Sequence, residues 1–172
     1  LERAVKLDLI DFNPSDRVEA PQPARFQPRV LTPEEAIKFL DAAKSSRHRT
    51  LVTLALFTGL RLGEMLALRW ENVDLKEGII KVIKSKTKAG ERLVPLPPVA
   101  IALLQEQRSA TKGDLVFPGK WKGQEVELSY LSYRVIDRIC KRAGLPHMRF
   151  HDLRHTHATW LAASDISART VA

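Results

Sequence analysis

The sequence contains a single cysteine, Cys140, among 172 residues. One thiol excludes a disulfide within the chain, and it also excludes a zinc site built mainly from cysteines. So little cysteine is typical of proteins from a reducing compartment, and we therefore expect a cytoplasmic protein.

Long apolar runs are also absent. The longest, Thr50 to Leu60, is shorter than the roughly 18–20 residues that a membrane-spanning helix needs, and Arg61 follows it directly. The first four residues have neither the charged start nor the apolar run of a signal peptide. The sequence thus predicts no membrane partner. Because it does not begin with methionine, we expect a piece of a longer chain.

Positive charge, in contrast, is in excess. The chain has 28 Lys and Arg against 20 Asp and Glu, a formal charge of +8, and a sequence pI of about 9.9. A basic domain of this kind is a candidate for binding nucleic acid, although charge alone does not decide the partner. Hydrophobic residues make up 44% of the chain, which is enough to build a packed core and argues against a disordered protein.

The chain divides into three parts. Residues 1–12 are predicted to be the end of a helix, with Val5 and Leu9 on one face. Residues 13–30 hold four prolines and no periodicity, which is typical of an extended linker. Residues 31–172 form the globular part, so we expect a domain boundary within the linker.

Most of the globular part has helical periodicity. Thr32, Pro33 and Glu35 form a capping-box pattern at the start of the first helix. Apolar spacing predicts helices near residues 33–43, 48–57, 61–69, 99–108, 129–143 and 151–163, and the start of another at 167–172. Two β-branched runs, residues 78–84 and 92–96, predict a hairpin with a basic tip, and residues 114–119 predict a short strand or turn. The expected fold is mostly α with a small antiparallel β-sheet.

Three segments have residues suited to binding an anion. In the first, residues 58–64 (TGLRLGE), Arg61 follows a Gly-Leu turn and opens a helix, beside free N-terminal N–H groups. Glu64, three residues on, lies close enough to hold the guanidinium. The alternative is an ordinary Arg–Glu pair on a helix surface.

The second segment is residues 151–155 (HDLRH), with His157 just beyond it. His151, Arg154 and His155 fall at i, i+3 and i+4, on one face of a helix. Arg154 has a permanent positive charge, and the two histidines can exchange protons near neutral pH. Together they are suited to neutralise the oxygens of a phosphate group and to transfer a proton during its reaction. A solvated polar face remains the alternative.

The same segment also has the HxxxH spacing of zinc proteases, with Asp152 in place of their general-base glutamate. We disfavour that interpretation, because Arg154 lies between the two histidines and would repel a zinc ion. No third ligand is evident nearby, so we predict no metal.

The third segment is the hairpin tip, residues 84–92 (KSKTKAGER). Four of its nine residues are basic: Lys84, Lys86, Lys88 and Arg92. A basic β-turn can enter a groove of nucleic acid and bring a lysine to a leaving oxygen. It can equally be an edge hairpin that lysines keep from aggregating.

Taken in order, the three segments resemble the tyrosine recombinase (phage integrase) family. TGLRLGEMLAL is similar to its first arginine motif, SKTKAGERLVPL to its β-hairpin lysine segment, and HDLRHTHAT to its HxxR motif. The resemblance covers residues 31–172, a catalytic domain. Residues 1–12 also resemble the last helix of the family's core-binding domain. The implied reaction is cleavage and rejoining of double-stranded DNA through a phosphotyrosyl link, which conserves bond energy and needs no cofactor.

The resemblance also implies catalytic roles. Arg61 and Arg154 correspond to the two arginines that hold the scissile phosphate. Lys86 corresponds to the general acid for the leaving 5′-oxygen, with Lys88 as its competitor. His151 corresponds to the histidine that binds the phosphate and moves the nucleophile's proton.

Other residues are expected to support these. Glu64 corresponds to the acidic residue beside the first arginine, and His155 is a structural candidate next to His151. We expect Lys84, Lys88 and Arg92 to bind DNA.

The family's nucleophilic tyrosine has no counterpart in the sequence. Its expected position, like that of a further histidine or tryptophan before it, falls beyond Ala172, so we expect a catalytic domain that is incomplete at its C-terminal end. Tyr130 and Tyr133 both precede the HxxR motif, where the family has no nucleophile. This chain is therefore expected to bind DNA weakly, as a monomer, without cutting it, whereas the full-length parent would act as a homotetramer on DNA.

Two related functions remain as alternatives. A type IB topoisomerase shares the arginine, lysine and histidine roles, and a non-catalytic remnant of an integrase would only bind phosphate. The motif TGLRLGE and the resemblance of residues 1–12 to a core-binding domain favour the recombinase.

Overall fold

A helical domain with a three-stranded sheet at one side makes up most of the computed structural model, which describes residues 1–19, 27–83, 91–119 and 130–164. The helices in these residues are α1 (Glu2–Val5), α2 (Pro33–Ala43), α3 (Arg49–Thr58), α4 (Leu62–Leu66), α5 (Pro98–Ala110), α6 (Ile136–Ala143) and α7 (Phe150–Ala163). Short 3₁₀ turns lie at Pro14–Arg17 and Trp70–Asn72, and a π-helical turn at Tyr130–Val135 runs directly into α6.

The sheet is antiparallel, in the order β1 (Val73–Asp74), β2 (Ile79–Val82) and β3 (Arg92–Pro95). In the register of β2 and β3, Ile80 faces Val94, and both side chains are buried. The predicted fold class, mostly α with a small antiparallel sheet, is confirmed. The predicted hairpin tip, residues 84–90, lies outside the described residues, as do linker residues 20–26 and the helix start predicted at 167–172.

Helix α3 forms the centre of the core and packs against α2, α5 and α7. The side chains of Leu51, Val52, Leu54, Ala55 and Leu56 are each at most 2% exposed. The apolar run seen in the sequence is therefore a helix buried on nearly all sides. Within the described residues, no helix combines the length and apolarity needed to cross a membrane.

The start of the domain is tied to α7 by the main chain of Leu31. Its N–H donates to Thr156 Oγ1 at 3.1 Å, and its carbonyl accepts from Trp160 Nε1 at 3.1 Å. Leu31 itself is 1% exposed, so these two bonds satisfy a buried peptide group that water cannot reach.

Two predicted helices are shorter in the structure. The helix predicted over residues 1–12 is limited to Glu2–Val5; Asp8 has a positive φ of 51°, and Leu7 and Leu9 are exposed, so no packing supports a longer helix. The helix predicted over residues 61–69 ends at Leu66, because the chain beyond it bonds to another segment. Trp70 N–H donates to Asp114 O at 2.8 Å, and Val116 N–H donates to Leu68 O at 2.9 Å.

Candidate active site

The first part of the site is the turn between α3 and α4. Gly59 ends α3 in the left-handed conformation, with φ at +59°, and its N–H donates to Ala55 O at 3.1 Å. Arg61 then has extended backbone and stands immediately before α4, with 61% of its side chain exposed. The turn therefore presents the Arg61 guanidinium to solvent at a defined position.

Glu64 holds the arginines of this turn and of the hairpin together. Its carboxylate accepts from Arg61 N–H at 2.9 Å and from Arg61 Nη1 at 3.2 Å. It also accepts from both Nη atoms of Arg92, at 2.8 and 3.2 Å. The side chains of Glu64 and Arg92 are only 17% and 18% exposed, so this bidentate pair is largely shielded from water.

These contacts alter two expectations. Helix α4 has only five residues, and the carboxylate of Glu64 takes up the Arg61 N–H, so the exposed group that Arg61 offers to an anion is its guanidinium. Arg92, predicted as a DNA contact, has its guanidinium against Glu64.

The carboxylate of Glu64 stays ionised at neutral pH. Burial raises its pKa, but the hydrogen bonds from Arg92 and Arg61, with the charge of Arg92, outweigh that effect and leave the pKa below its ordinary value of 4.5. A permanent negative charge here neutralises part of the positive charge of the site.

Arg154 joins this group from α7. Its Nη1 donates to the carbonyl oxygen of Gly59, and the side chain is half-buried. Burial lowers the pKa of Arg154, the charge of Arg61 lowers it further, and Glu64 opposes both, so these charges lie close enough to act on one another. Three guanidinium groups and one carboxylate leave two positive charges unneutralised within this group.

His151 and His155 lie one turn apart on α7, on either side of Arg154 in sequence. Their rings meet edge to face, with centroids 4.8 Å apart. Loss of hydration lowers the pKa of His151, and the charges of His155 and Arg154 lower it further. The imidazole of His151 is therefore neutral at pH 7 and able to accept a proton.

Of the other predicted residues, Lys84, Lys86 and Lys88 lie outside the described residues. Tyr133, on the π-helical turn, is 62% exposed, and its ring contacts that of His147 at a centroid distance of 5.2 Å. The carboxylate of Asp152 is buried and accepts from Arg149 N–H at 2.8 Å, which caps the start of α7.

One contact of the site was missed by sequence reasoning. His157 packs its ring directly on Gly59, the same glycine whose carbonyl binds Arg154. Nothing local in the sequence shows which distant side chain will cover this glycine.

The phage integrase family model matches the chain over residues 29–172. The chain belongs to the phage integrase family. Among curated relatives of this phage integrase domain is the tyrosine recombinase XerC of Xylella fastidiosa strain 9a5c, 34% identical over 176 residues, which cover 97% of this chain and 58% of the relative. XerC of Xanthomonas axonopodis pv. citri strain 306 is 32% identical over 174 residues, covering 97% and 56%. The chain thus spans little more than half the length of these relatives.

Solved structures agree on the fold. XerA recombinase superposes with a TM-score of 0.75 at 28% identity, covering 86% of this chain and 56% of XerA. A lambda integrase dimer bound to a COC′ core site superposes with a TM-score of 0.72 at 24% identity, covering 95% and 63%. The resemblance inferred from the three motifs is confirmed at the level of family and fold.

Proposed function

We propose that this phage integrase domain binds a phosphodiester of double-stranded DNA and, in the longer protein, cleaves and rejoins the strand as a site-specific recombinase. The observation that carries the proposal is the group formed by Arg61, Arg154 and His151. It joins two guanidinium groups, whose charge together with that of Arg92 exceeds the charge of Glu64 by two, with an imidazole that is neutral at pH 7.

The chemistry follows from how charge develops during transfer of a phosphodiester. As the attacking and leaving oxygens approach a pentacovalent phosphorus, negative charge increases on the non-bridging oxygens. Arg61 and Arg154 would bind those oxygens, and guanidinium groups do so with paired hydrogen bonds. His151 would accept the proton of the attacking hydroxyl, and Lys86 or Lys88 would give a proton to the leaving 5′-oxygen.

Three residues would support this arrangement without touching the phosphate. Glu64 fixes the direction of the Arg61 side chain, and Arg92 fixes Glu64 through its bidentate pair. We call Arg61 and Arg154 together the phosphate clamp. We therefore propose that Arg92 supports this clamp in place of binding DNA directly. His155 would hold the ring of His151 by their edge-to-face contact.

The attacking tyrosine is the part that this sequence does not supply, since no tyrosine follows Arg154. We propose that the chain as given binds DNA as a monomer in a cytoplasmic setting and does not cut it. A lambda integrase tetramer bound to a Holliday junction is among the similar structures, and a homotetramer on DNA is our proposal for the longer protein.

Binding at different salt concentrations tests the clamp. Arg154→Ala should weaken binding of a fluorescein-labelled duplex and reduce the slope of log K against log salt by about 0.9, the value for one phosphate contact. Lys112→Ala removes an exposed positive charge outside the proposed clamp and serves as the control. Equal slopes for Arg154→Ala and the unsubstituted chain would contradict the clamp.

Cleavage is tested separately with a nicked suicide substrate. We expect no covalent adduct on a denaturing gel with the chain as given. An adduct that maps to Tyr130 or Tyr133 would overturn the assignment of the nucleophile to residues outside this sequence.

A further inference from the structure

Two side chains of α7 meet one glycine of the turn that carries Arg61. Arg154 Nη1 donates to the carbonyl oxygen of Gly59, and His157 covers the α-carbon of the same residue. Arg154 and His157 are three residues apart on α7, so their side chains leave the same face of that helix, about one turn apart. Gly59 lies only two residues before Arg61 in the sequence.

The contact of His157 with Gly59 is too close for any other residue type. A Cβ at position 59 would lie 2.6 Å from Cδ2 and 3.3 Å from Cγ of the His157 ring, and the φ of +59° already disfavours a side chain there. The ring therefore packs against bare backbone, which fixes how closely α7 approaches the end of α3.

The ring of His157 also lies near the main chain at Leu56, one turn before Gly59 on α3, close enough for that main chain to act on its pKa. The imidazole thus faces the last turn of α3 near two residues. Burial lowers its pKa, so at neutral pH the ring adds no positive charge beside Arg154.

We propose that His157 is a positioning residue for the phosphate clamp, which sets the spacing between Arg61 and Arg154 by holding the Gly59 turn against α7. The inference rests on the proposed function, because the spacing matters only if both guanidinium groups bind one phosphate. Without the ring, the turn would keep the hydrogen bond from Arg154 but would lose the packing of His157 on Gly59. The turn could then move relative to α7, and Arg61 would move with it.

Three substitutions separate the packing of the ring from its polar atoms. His157→Phe keeps a flat ring against Gly59 and loses the ring nitrogens, His157→Gln keeps an N–H donor and loses the ring, and His157→Ala loses both. We expect His157→Ala and His157→Gln to weaken duplex binding and to lower the salt slope by about 0.9, and His157→Phe to restore the slope of the unsubstituted chain. If His157→Ala does not fold, the comparison of Gln with Phe decides the question.

The neighbouring residue supplies the control. Thr156→Val should destabilise the fold, since Thr156 bonds to Leu31, but it should leave the salt slope unchanged because it does not touch the turn. A change in slope with this variant equal to that of His157→Ala would show that general destabilisation is responsible, and would overturn the proposal.

A double substitution distinguishes the two proposals from each other. If His157 acts through the clamp, His157→Ala should have no further effect on the slope in a chain that already carries Arg154→Ala. Additive effects on the slope would overturn the positioning role. If Arg154→Ala alone leaves the slope unchanged, the clamp itself fails; if Arg154→Ala lowers the slope and His157→Ala does not, only the role of His157 fails.

Discussion

The pair between Glu64 and Arg92 gives the sharpest stability prediction. Glu64→Gln keeps the size and one acceptor oxygen of the side chain, but removes its charge and its second acceptor. In the native chain the carboxylate accepts four hydrogen bonds, two from Arg61 and two from Arg92. With glutamine, the guanidinium of Arg92 keeps its charge while its side chain remains only 18% exposed.

The magnitude follows from the burial of the pair. Hydrogen bonds to charged groups contribute about 1.5–3 kcal/mol each, and breaking a fully buried ion pair costs about 3–5 kcal/mol. The Glu64–Arg92 pair is largely but not fully buried, and glutamine retains one acceptor. We therefore expect Glu64→Gln to lower the free energy of unfolding by about 2–3 kcal/mol.

Urea denaturation followed by circular dichroism measures this loss. The control is Asp41→Asn, which neutralises a carboxylate whose pair with Lys44 is about 70% exposed on both sides. That change should cost at most about 0.5 kcal/mol. If Glu64→Gln costs no more than Asp41→Asn, the shielded pair does not stabilise the fold as argued.

The same pair has a defined pH dependence. Because the pKa of Glu64 is lowered in the folded chain, its contribution is complete above the ordinary value of 4.5 and is lost as the pH falls through the lower, folded-state pKa. The difference in unfolding free energy between the native chain and Glu64→Gln should shrink in that acidic range. A difference that stays constant below pH 4.5 would contradict this assignment.

Two further predictions concern a buried hydroxyl and a half-buried imidazole. Thr156→Val leaves the Leu31 N–H without a partner and should cost about 1–3 kcal/mol in urea denaturation; a neutral effect would mean that another acceptor replaces the hydroxyl. Burial, with the charge of Arg47, lowers the pKa of His48 to about 4, so stability should fall as the pH drops from 6.5 toward 4. With His48→Gln, the free energy of unfolding should change less between pH 6.5 and 4. If that change is the same as in the unsubstituted chain, groups other than His48 cause it.

Short-range chemistry was the predictable part of this fold. The capping box at Thr32 forms as expected, with Glu35 N–H donating to Thr32 Oγ1 at 3.2 Å and Thr32 N–H to the Glu35 carboxylate at 3.1 Å. Gly59 and Gly144 both end their helices in the left-handed conformation. Each of these features depends on residues within one or two turns, so the local sequence contains the information needed to predict it.

The unpredicted features depend on residues far apart in the chain. Helix α4 stops early because residues 68–70 bond to residues 114–116, and Arg92 pairs with Glu64, 28 positions earlier. The contact between His157 and Gly59 is of the same kind. Motif spacing indicated which residues share the site, but their partners depend on how separate elements pack.

The attachment of Leu31 has a mechanical consequence. The peptide of Leu31 is fastened to Thr156 and Trp160, on the helix that also carries His151 and Arg154. The segment ahead of the domain is also held to α2, by the ion pair of Arg29 with Glu35. A change in the path of that segment would therefore act on α2 and α7 together, and α7 is the helix that supplies Arg154 and His151 to the site.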